Sequence, residues 1–204
     1  MRPDLSPENL LSAYACGIFP MADEQGRLHW LSPDPRAILD LDAFIVPRTL
    51  RTTIRQGRFD VTFNESFSDV VAACADRPSG TWISDDIRDA YVALHRLGFA
   101  HSVETRKDGD LAGGLYGVAL GGAFFGESMF HRESDASKIA LVGLVQRMRE
   151  RGFVLLDIQF RTAHLDRFGA VEIPRADYQR RLRCALRLSC RFADSDSDRG
   201  RAHV

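Results

Sequence analysis

Two polar side chains interrupt the apolar segment FVLLDIQF, where Asp157 and Gln159 stand two residues apart. In an extended strand, side chains at this spacing lie on the same face of the sheet. A carboxylate and a carboxamide among apolar neighbours need a polar partner, because burying them unpaired costs free energy. The pair is therefore either part of a substrate site or a structural hydrogen-bond pair that closes a strand edge.

A third polar group, Glu127, lies in the apolar segment FGESMF. A carboxylate in such a strand needs a counter-charge. A cationic substrate would supply one, and an internal salt bridge to Arg132 or Lys138 is the structural alternative. The sequence alone leaves both interpretations open.

The elements that must position these residues form a β-β-β-α-β unit in the second half of the chain. Strands are predicted over residues 101–107, 111–119 and 123–130, with a hairpin turn at 108–110. Apolar residues at helical spacing predict a helix over 136–150, followed by a strand over 153–160. Glycines break up the second and third strands, which predicts backbones that stay open to something large.

The first half of the chain carries helix signals. Ser6 and Pro7 mark the start of one helix, and Ser84 marks the start of another. Asn64 is expected to cap a helix that runs through residue 75, and a basic helix is expected over residues 47–56.

Composition limits the class of protein. The chain has 204 residues, of which 45% are hydrophobic and 27% are charged, as in soluble globular proteins. The polar start and the absence of an apolar run of about 18 residues predict a cytoplasmic protein with no secretory signal and no membrane contact. The four cysteines lie far apart and the histidines lack metal-ligand spacing, so neither a disulfide framework nor a metal site is expected.

The charge of the chain is nearly balanced but unevenly distributed. A net charge of −1 argues against a protein that coats nucleic acid by bulk charge. Residues 45–59 nevertheless contain four arginines and no acidic residue, and Arg48 and Arg51 are two of these arginines. Residues 175–191 contain six further arginines. Arginine binds phosphates through paired hydrogen bonds, so Arg48 and Arg51 are predicted to contact the phosphate backbone of a nucleic acid. A solvated helix face is the alternative.

Eight short segments follow one another in the order found in the bacterial leucyl/phenylalanyl-tRNA–protein transferases, and the resemblance covers roughly residues 5–192. The segments are GIFP (17–20), SPDPR (32–36), GTWI (80–83), GGLYGVALG (113–121), FGESMF (125–130), ASK (136–138), DIQ (157–159) and IPRADY (173–178). The resemblance implies an α+β fold with a small N-terminal α/β lobe over residues 1–98. A catalytic domain over 99–192 would resemble the core of the GCN5-related N-acetyltransferases. Residues 193–204 are polar and low in complexity, a composition that predicts a disordered tail.

This resemblance implies aminolysis of an ester. Leucine or phenylalanine, and also methionine, would pass from aminoacyl-tRNA to the α-amino group of proteins that begin with Arg or Lys, marking them for degradation. The conversion of an ester to an amide is favourable in free energy, so no cofactor and no covalent intermediate is expected. The protein is expected to act as a monomer.

The resemblance also implies roles for single residues. Asp157 and Gln159 match the catalytic pair, and Glu127 with Asp157 matches the acceptor site. Trp82 matches a tryptophan at the 3′-adenosine, and Met21 stands where the family has a second one. The donor side-chain pocket is implied at Leu115, Phe124, Met129, Leu141, Leu144 and Leu156.

Two other functions are compatible with parts of the sequence. The β-β-β-α-β order also occurs in acetyl-CoA-dependent N-acetyltransferases, whose pyrophosphate loop is rich in glycine. The corresponding segment here, HRESDASK, is acidic and has no glycine. An RNA-binding module would use the arginines, but it leaves Glu127, Asp157 and Gln159 without a task.

Overall fold

The computed structural model describes residues 4–23, 25–76 and 80–194. Within these ranges the chain forms seven helices and nine strands. The helices are α1 (Pro7–Ala15), α2 (Arg48–Arg55), α3 (Phe67–Ala75), α4 (Asp85–Arg96), α5 (Ala136–Glu150), α6 (Ala163–Asp166) and α7 (Arg175–Ala185). The strands are β1 (Phe19–Ala22), β2 (Leu28–Leu31), β3 (Arg36–Leu39), β4 (Asp60–Phe63), β5 (Ala100–Lys107), β6 (Asp110–Leu120), β7 (Ala123–His131), β8 (Leu155–Gln159) and β9 (Ala170–Ile173).

The fold is α+β and is organised around one mixed sheet. Seven strands lie in the order β4-β5-β6-β7-β8-β3-β9, and β1 pairs with β2 in a separate hairpin. Every neighbouring pair in the large sheet is antiparallel except β7 and β8, which are parallel and are joined through α5. The run from β5 to β8 has the β-β-β-α-β order that was predicted.

The helix signals are confirmed at two positions and wrong at a third. Pro7 is the first residue of α1, and the Ser84 hydroxyl accepts a hydrogen bond from the backbone N–H of Ile87 at 3.3 Å. Asn64 does not cap α3, which begins three residues later. Its side-chain oxygen instead accepts the backbone N–H of Ser102 at 3.1 Å, and this bond ties the loop to β5.

Two hydrophobic cores lie on opposite faces of the sheet. The first contains apolar residues from α1, α3, α4 and α7, and the second contains the apolar face of α5 with Leu50 of α2. Adjacent residues of β8 serve different cores, Leu155 the first and Leu156 the second. This alternation is the period of two expected of a strand buried on both faces.

The large sheet takes strands from both halves of the chain. Strands β3 and β4 precede residue 98, and the other five follow it. The division into domains at residue 98 stays a prediction, and residues 195–204 of the expected tail lie outside the described residues. None of the helices in the described ranges is long and apolar enough to cross a membrane.

The glycines of β6 do not leave an open backbone, contrary to expectation. A Cβ on Gly117 would lie 2.2 Å from the carbonyl oxygen of Phe125, and one on Gly113 would lie 2.7 Å from the Cβ of Ala136. These glycines are needed because strand β7 and helix α5 approach the backbone of β6 closely.

We therefore expect Gly117→Ala to destabilise the fold by about 1–3 kcal/mol or more, because the added methyl group meets backbone that cannot move aside. Gly126→Ala is the matched control on the neighbouring strand, since its Cβ would lie 3.6 Å from the nearest atom. Urea unfolding followed by circular dichroism measures both variants. Equal midpoints for the two variants would contradict the packing argument.

Candidate active site

The site lies where the parallel strands β7 and β8 part. Their ladder has three pairs and ends at Phe125 and Asp157, although β7 continues to His131. In the pairing of β7 with β6, Gly117 lies opposite Gly126 and Tyr116 opposite Ser128, so Glu127 is the extra residue of a β-bulge. Bulges of this kind redirect a side chain and are common beside active sites. Glu127 therefore lies at the opening between the strands.

A second bulge and a tight turn shape the end of β8. Ile38 of β3 lies opposite Asp157 and Ala37 lies opposite Gln159, which leaves Ile158 as the extra residue. Gln159 has a φ of 57°, and the backbone N–H of Phe160 bonds to the carbonyl of Ile158 at 2.6 Å. A positive φ costs a residue with a Cβ roughly 1–2 kcal/mol, so other contacts must stabilise the turn.

Asp157 supplies one of those contacts and is itself fully enclosed. One carboxylate oxygen accepts the backbone N–H of Gln159 at 3.0 Å. Arg36 donates to both oxygens, at 2.9 and 2.7 Å, and the Tyr178 hydroxyl donates at 2.7 Å. Asp157 and Arg36 are each 0% exposed. The partner that the sequence required for this carboxylate is thus an arginine of the protein itself.

The Arg36 guanidinium is held on every side. It lies 4.9 Å from the ring centroid of Phe19 and 4.6 Å from that of Tyr178, and it donates to the carbonyl of Gly17 at 3.0 Å. Burial acts against its charge, but the hydrogen bonds and the charge of Asp157 raise the pKa of Arg36 above its ordinary value. Four of the eight segments singled out in the sequence meet in this cluster.

The side chain of Gln159 is buried but incompletely bonded. It is 6% exposed, and its amide nitrogen Nε2 has no hydrogen-bond partner among the described residues. A buried N–H group without a partner carries a cost of about 1–3 kcal/mol. An amide donor held in place beside the opening is suited to bind a carbonyl oxygen of a substrate.

Glu127 is bound by two tyrosines rather than by a cation. It accepts the Tyr14 hydroxyl at 2.7 Å and the Tyr91 hydroxyl at 3.0 Å. The proposed salt-bridge partners are engaged elsewhere, Lys138 with Asp135 at 2.6 Å and Arg132 with the carbonyl of Leu111 at 3.1 Å. That structural alternative for Glu127 is therefore wrong.

The environment of Glu127 moves its ionisation to near neutral pH. Burial raises the pKa of Glu127 to about 7, although the hydrogen bonds from Tyr14 and Tyr91 act in the opposite direction. Burial, with Glu127 close by, also raises the pKa of both tyrosines well above the ordinary value, so their hydroxyls remain protonated. The carboxyl group thus exchanges its proton near neutral pH.

The three side chains form a closed ring of oxygen contacts. The hydroxyls of Tyr14 and Tyr91 lie 2.5 Å apart, and each also contacts one oxygen of Glu127. Two hydroxyl protons can occupy only two of these three contacts. A third proton, carried by the carboxyl group, completes the ring. The geometry therefore agrees with a carboxyl group that accepts and returns a proton.

The residues predicted for the donor pocket share one hydrophobic cluster between the sheet and α5. Five of them are 0–3% exposed, and Met129 is partly exposed at the edge of the cluster. They come from three strands and one helix: Leu115, Phe124, Met129, Leu141, Leu144 and Leu156. Their assignment to a donor pocket stays a prediction, as do the other site assignments.

The predicted tRNA contacts lie on separate elements. Trp82 precedes α4 and packs, partly buried, against the first core, whereas Met21 is partly exposed on β1. Arg48 and Arg51 are exposed on α2, but the Arg51 side chain also donates to the carbonyl of Val46 at 2.9 Å.

Reasoning from sequence missed the residues that hold the site together. Arg36 and Tyr178 lie in the segments SPDPR and IPRADY, which were noted but given no role. Tyr14 of α1 and Tyr91 of α4 were not singled out as site residues. The available signal was that the two carboxylates, Glu127 and Asp157, stand in apolar segments and need polar partners, which arginine and tyrosine can provide.

Comparison with known proteins identifies the family. The profile of the leucyl/phenylalanyl-tRNA protein transferase matches residues 38–183, and that of its N-terminal domain matches residues 3–34. A leucyl/phenylalanyl-tRNA–protein transferase of Gloeobacter violaceus is 56% identical over 193 residues, covering 94% of this chain and 100% of the relative. One of Rubrobacter xylanophilus is 56% identical over 190 residues, covering 93% and 99%.

One solved structure is similar at a distance. A ribosomal-protein-alanine N-acetyltransferase from Brucella melitensis aligns with 53% of this chain and 84% of its own at 20% identity and a TM-score of 0.36. The sequence relatives are far more similar and extend over nearly the whole chain. On that evidence, this chain belongs to the leucyl/phenylalanyl-tRNA–protein transferase family and is an aminoacyltransferase.

Proposed function

We propose that this protein, as a monomer in the cytoplasm, transfers leucine or phenylalanine from aminoacyl-tRNA to proteins that begin with Arg or Lys. The transferred residue marks the acceptor protein for degradation. The observation that carries this proposal is the buried Nε2 group of Gln159, which has no partner among the described residues and lies where β7 and β8 part. An ester carbonyl placed there would complete its hydrogen bonding.

Gln159 serves as the donor to the ester. In the transition state for aminolysis, negative charge develops on the carbonyl oxygen, and a fixed amide N–H stabilises that charge. The backbone turn at Gln159 is held by Asp157, so the donor is in place before the substrate arrives. Such positioning accounts for much of the rate in reactions between two bound partners.

Glu127 serves the acceptor. The α-amino group of a protein has a pKa of about 7.7–8.0, so it arrives mainly as an ammonium ion at neutral pH. The Glu127 carboxylate pairs with this cation and takes one proton from it. The free amine then attacks the ester carbon, and the bond between this carbon and the tRNA oxygen breaks. As the amide forms, the nitrogen loses a second proton and the departing tRNA oxygen takes up one proton.

Asp157 acts through Gln159. Its four hydrogen bonds go to Arg36, Tyr178 and the backbone of Gln159, which fills its acceptor positions within the protein. We therefore assign Asp157 a positioning role, and we assign recognition of the acceptor cation to Glu127. This division refines the expectation that Asp157 meets the acceptor directly.

The donor pocket selects by apolar contact. We assign the leucine, phenylalanine or methionine side chain of the donor to the apolar cluster that contains Phe124 and Leu156, with partly exposed Met129 at its edge. One methylene group more or less on the donor side chain changes the selectivity between two donors by only about 1–3 kcal/mol. Several apolar donors are therefore accepted, with graded efficiency.

The acceptor assignment is tested with peptides that differ only in their first residue. Labelled leucine from Leu-tRNA should pass to peptides that begin with Arg or Lys, and not to those that begin with Ala or Glu, because the Glu127 carboxylate attracts a cationic side chain and does not attract a neutral or acidic one. Equal labelling of the peptides that begin with Ala and with Arg would show that the acceptor assignment is wrong.

The dependence on pH should separate Glu127 from the acceptor amine. Because the carboxylate must meet an ammonium ion, kcat/KM should be bell-shaped, rising through the Glu127 pKa of about 7 and falling above the amine pKa of about 7.7–8.0. In Glu127→Gln, the reaction is slower and requires an amine that is already neutral. Its kcat/KM should therefore rise through pH 8 and reach a plateau.

Initial rates from pH 6 to 9, corrected for spontaneous hydrolysis of the ester, give both profiles. Profiles of the same shape in the wild type and in Glu127→Gln would show that Glu127 is not the proton acceptor.

The exposed arginines of α2 should affect the tRNA donor alone. We expect Arg48→Glu to raise KM for Leu-tRNA and to flatten its salt dependence, because fewer counterions are released from phosphates. Arg96→Glu, at the exposed last residue of α4, is the matched control. Transfer from leucyl-adenosine, which has no acceptor stem, should stay nearly unchanged in both variants. Equal loss with both donors in Arg48→Glu would make the arginine structural.

A further inference from the structure

The segment that follows α7 runs from one face of the large sheet to the other. Helix α7 ends at Ala185, which lies in the first core, whereas Phe192 is buried in the second. Between these two residues the chain passes the turn that joins β6 to β7, where the carbonyl of Ala185 accepts the backbone N–H of Gly122 at 2.7 Å. The segment thus brings an aromatic ring to the face of the sheet that carries the predicted donor pocket.

Phe192 is fixed through its backbone and its ring. Arg147 of α5 donates to the carbonyl of Phe192 at 3.0 Å and forms an ion pair with Asp194 at 2.7 Å. The same guanidinium lies 4.7 Å from the ring centroid of Phe63 and 5.9 Å from that of Phe192. Arg147 is itself buried, and a buried cation is costly without its counter-charge. These contacts give the segment after α7 one defined position on the sheet.

The ring of Phe192 packs against Phe124, one of the residues predicted to line the donor pocket. Their centroids are 5.1 Å apart, with the planes at 37°. The Phe124 ring lies over Gly117 of β6, since a Cβ on that glycine would be 2.5 Å from it. Phe192 also meets His101 of β5, with centroids 4.7 Å apart, and His101 lies opposite Gly117 in the sheet. Phe192 therefore lies on the side of Phe124 that faces away from β8.

This position makes Phe192 a stop behind one wall of the predicted pocket. Phe124 and Leu156 lie opposite each other in the ladder of β7 and β8, and both are 0% exposed. A donor side chain that enters between them pushes the Phe124 ring away from β8, which is toward Phe192. Protein interiors are close-packed and hardly compressible. The distance that Phe124 can move is therefore limited by the side chain at position 192.

We propose that Phe192 is a positioning residue that sets the size of the donor side chain, an inference that rests on the proposed function. It acts through Phe124 and does not touch the reacting atoms. A smaller residue at position 192 lets the Phe124 ring move back, which favours phenylalanine over leucine. A larger residue presses the ring forward and favours leucine. A residue that served only stability would change transfer from both donors by the same factor.

The test is a competition between equal amounts of Leu-tRNA and Phe-tRNA for one peptide that begins with Arg, with both products measured by mass spectrometry. Because both donors meet the same enzyme molecules, the product ratio reports their relative kcat/KM and does not depend on how much protein is folded. Phe192→Ala should raise the ratio of phenylalanyl to leucyl product about 10-fold, the lower end of the effect of one methylene group in an apolar pocket. Phe192→Leu, the milder change, should raise the ratio less, and Phe192→Trp should lower it.

Phe67→Leu is the matched control for Phe192→Leu. The two phenylalanines are similarly buried, at 3% and 2% exposed, but Phe67 lies in the first core on the opposite face of the sheet. Its replacement should cost stability and leave the product ratio of the wild type. An unchanged ratio in all three Phe192 variants would overturn the proposal, as would an equal change in Phe67→Leu. Failure of the proposed function is a different result, since the wild type would then form neither product.

Discussion

Replacing Gln159 by alanine is expected to lower the rate of leucyl transfer by at least ~10-fold and by as much as about 10²–10³-fold, the effect typical of losing one preorganised donor to a developing oxyanion. The fold should survive this change. The side chain makes no hydrogen bond through Nε2 to the described residues, and the turn at residue 159 is held through the backbone. The loss should appear in the rate of the chemical step rather than in tRNA binding.

Gln159→Asn is the matched control for backbone strain. Asparagine accepts a positive φ more readily than most residues, yet its amide is one methylene shorter and cannot reach the same point. We therefore expect Gln159→Asn to match or exceed the wild type in stability while losing most of its rate in single-turnover transfer at saturating Leu-tRNA. Near-normal single-turnover rates in both variants would rule out Gln159 as the donor.

Replacing Asp157 by asparagine is expected to destabilise the protein by about 3–5 kcal/mol, because it leaves the Arg36 cation buried without its counter-charge. Both groups are 0% exposed, and their contacts are 2.9 and 2.7 Å long. Transfer should fall as well, by at least ~10-fold, because the turn that presents Gln159 loses the carboxylate that binds it.

Stability and activity can be separated by removing both charges. The double variant Asp157→Leu with Arg36→Met should recover much of the stability lost in Asp157→Asn, since a buried ion pair often gives way to apolar residues without loss. It should not recover transfer. Urea unfolding and single-turnover rates measure the two effects, and a loss of less than about 1 kcal/mol in Asp157→Asn would show that the ion pair is not structural.

Much of the fold follows from local patterns in the sequence. The helix predicted over residues 136–150 is α5, Ala136–Glu150, because its apolar spacing and its bounding polar turns are all local. The strand predicted over 153–160 is confirmed as β8 but is shorter, Leu155–Gln159. The strand ends at the turn at Gln159, which the local sequence does not predict.

The site depended on contacts that sequence spacing does not contain. Asp157 meets Arg36 across 121 residues, and Glu127 meets Tyr14 across 113. The need of each carboxylate for a partner was evident from the apolar segment around it, but the identity of the partner depended on the packing of distant elements. The two bulges also disturb the simple alternation of side chains from which the site was first inferred.

The glycines of β6 show the same limit in another way. A strand rich in glycine is compatible both with an open backbone beside a ligand and with close packing. Only the positions of β7 and α5, which approach Gly117 and Gly113, decide between the two.

The most direct test of the account is transfer to one Arg-started peptide from matched donors, followed by mass spectrometry of the product. With Leu-tRNA the peptide should gain a single leucyl group on its α-amino nitrogen, and Gln159→Ala should form this product far more slowly with peptide and tRNA binding intact. Acetyl-CoA should give no product. An acetylated peptide, or leucyl transfer that is equally fast in the wild type and in Gln159→Ala, would contradict the account.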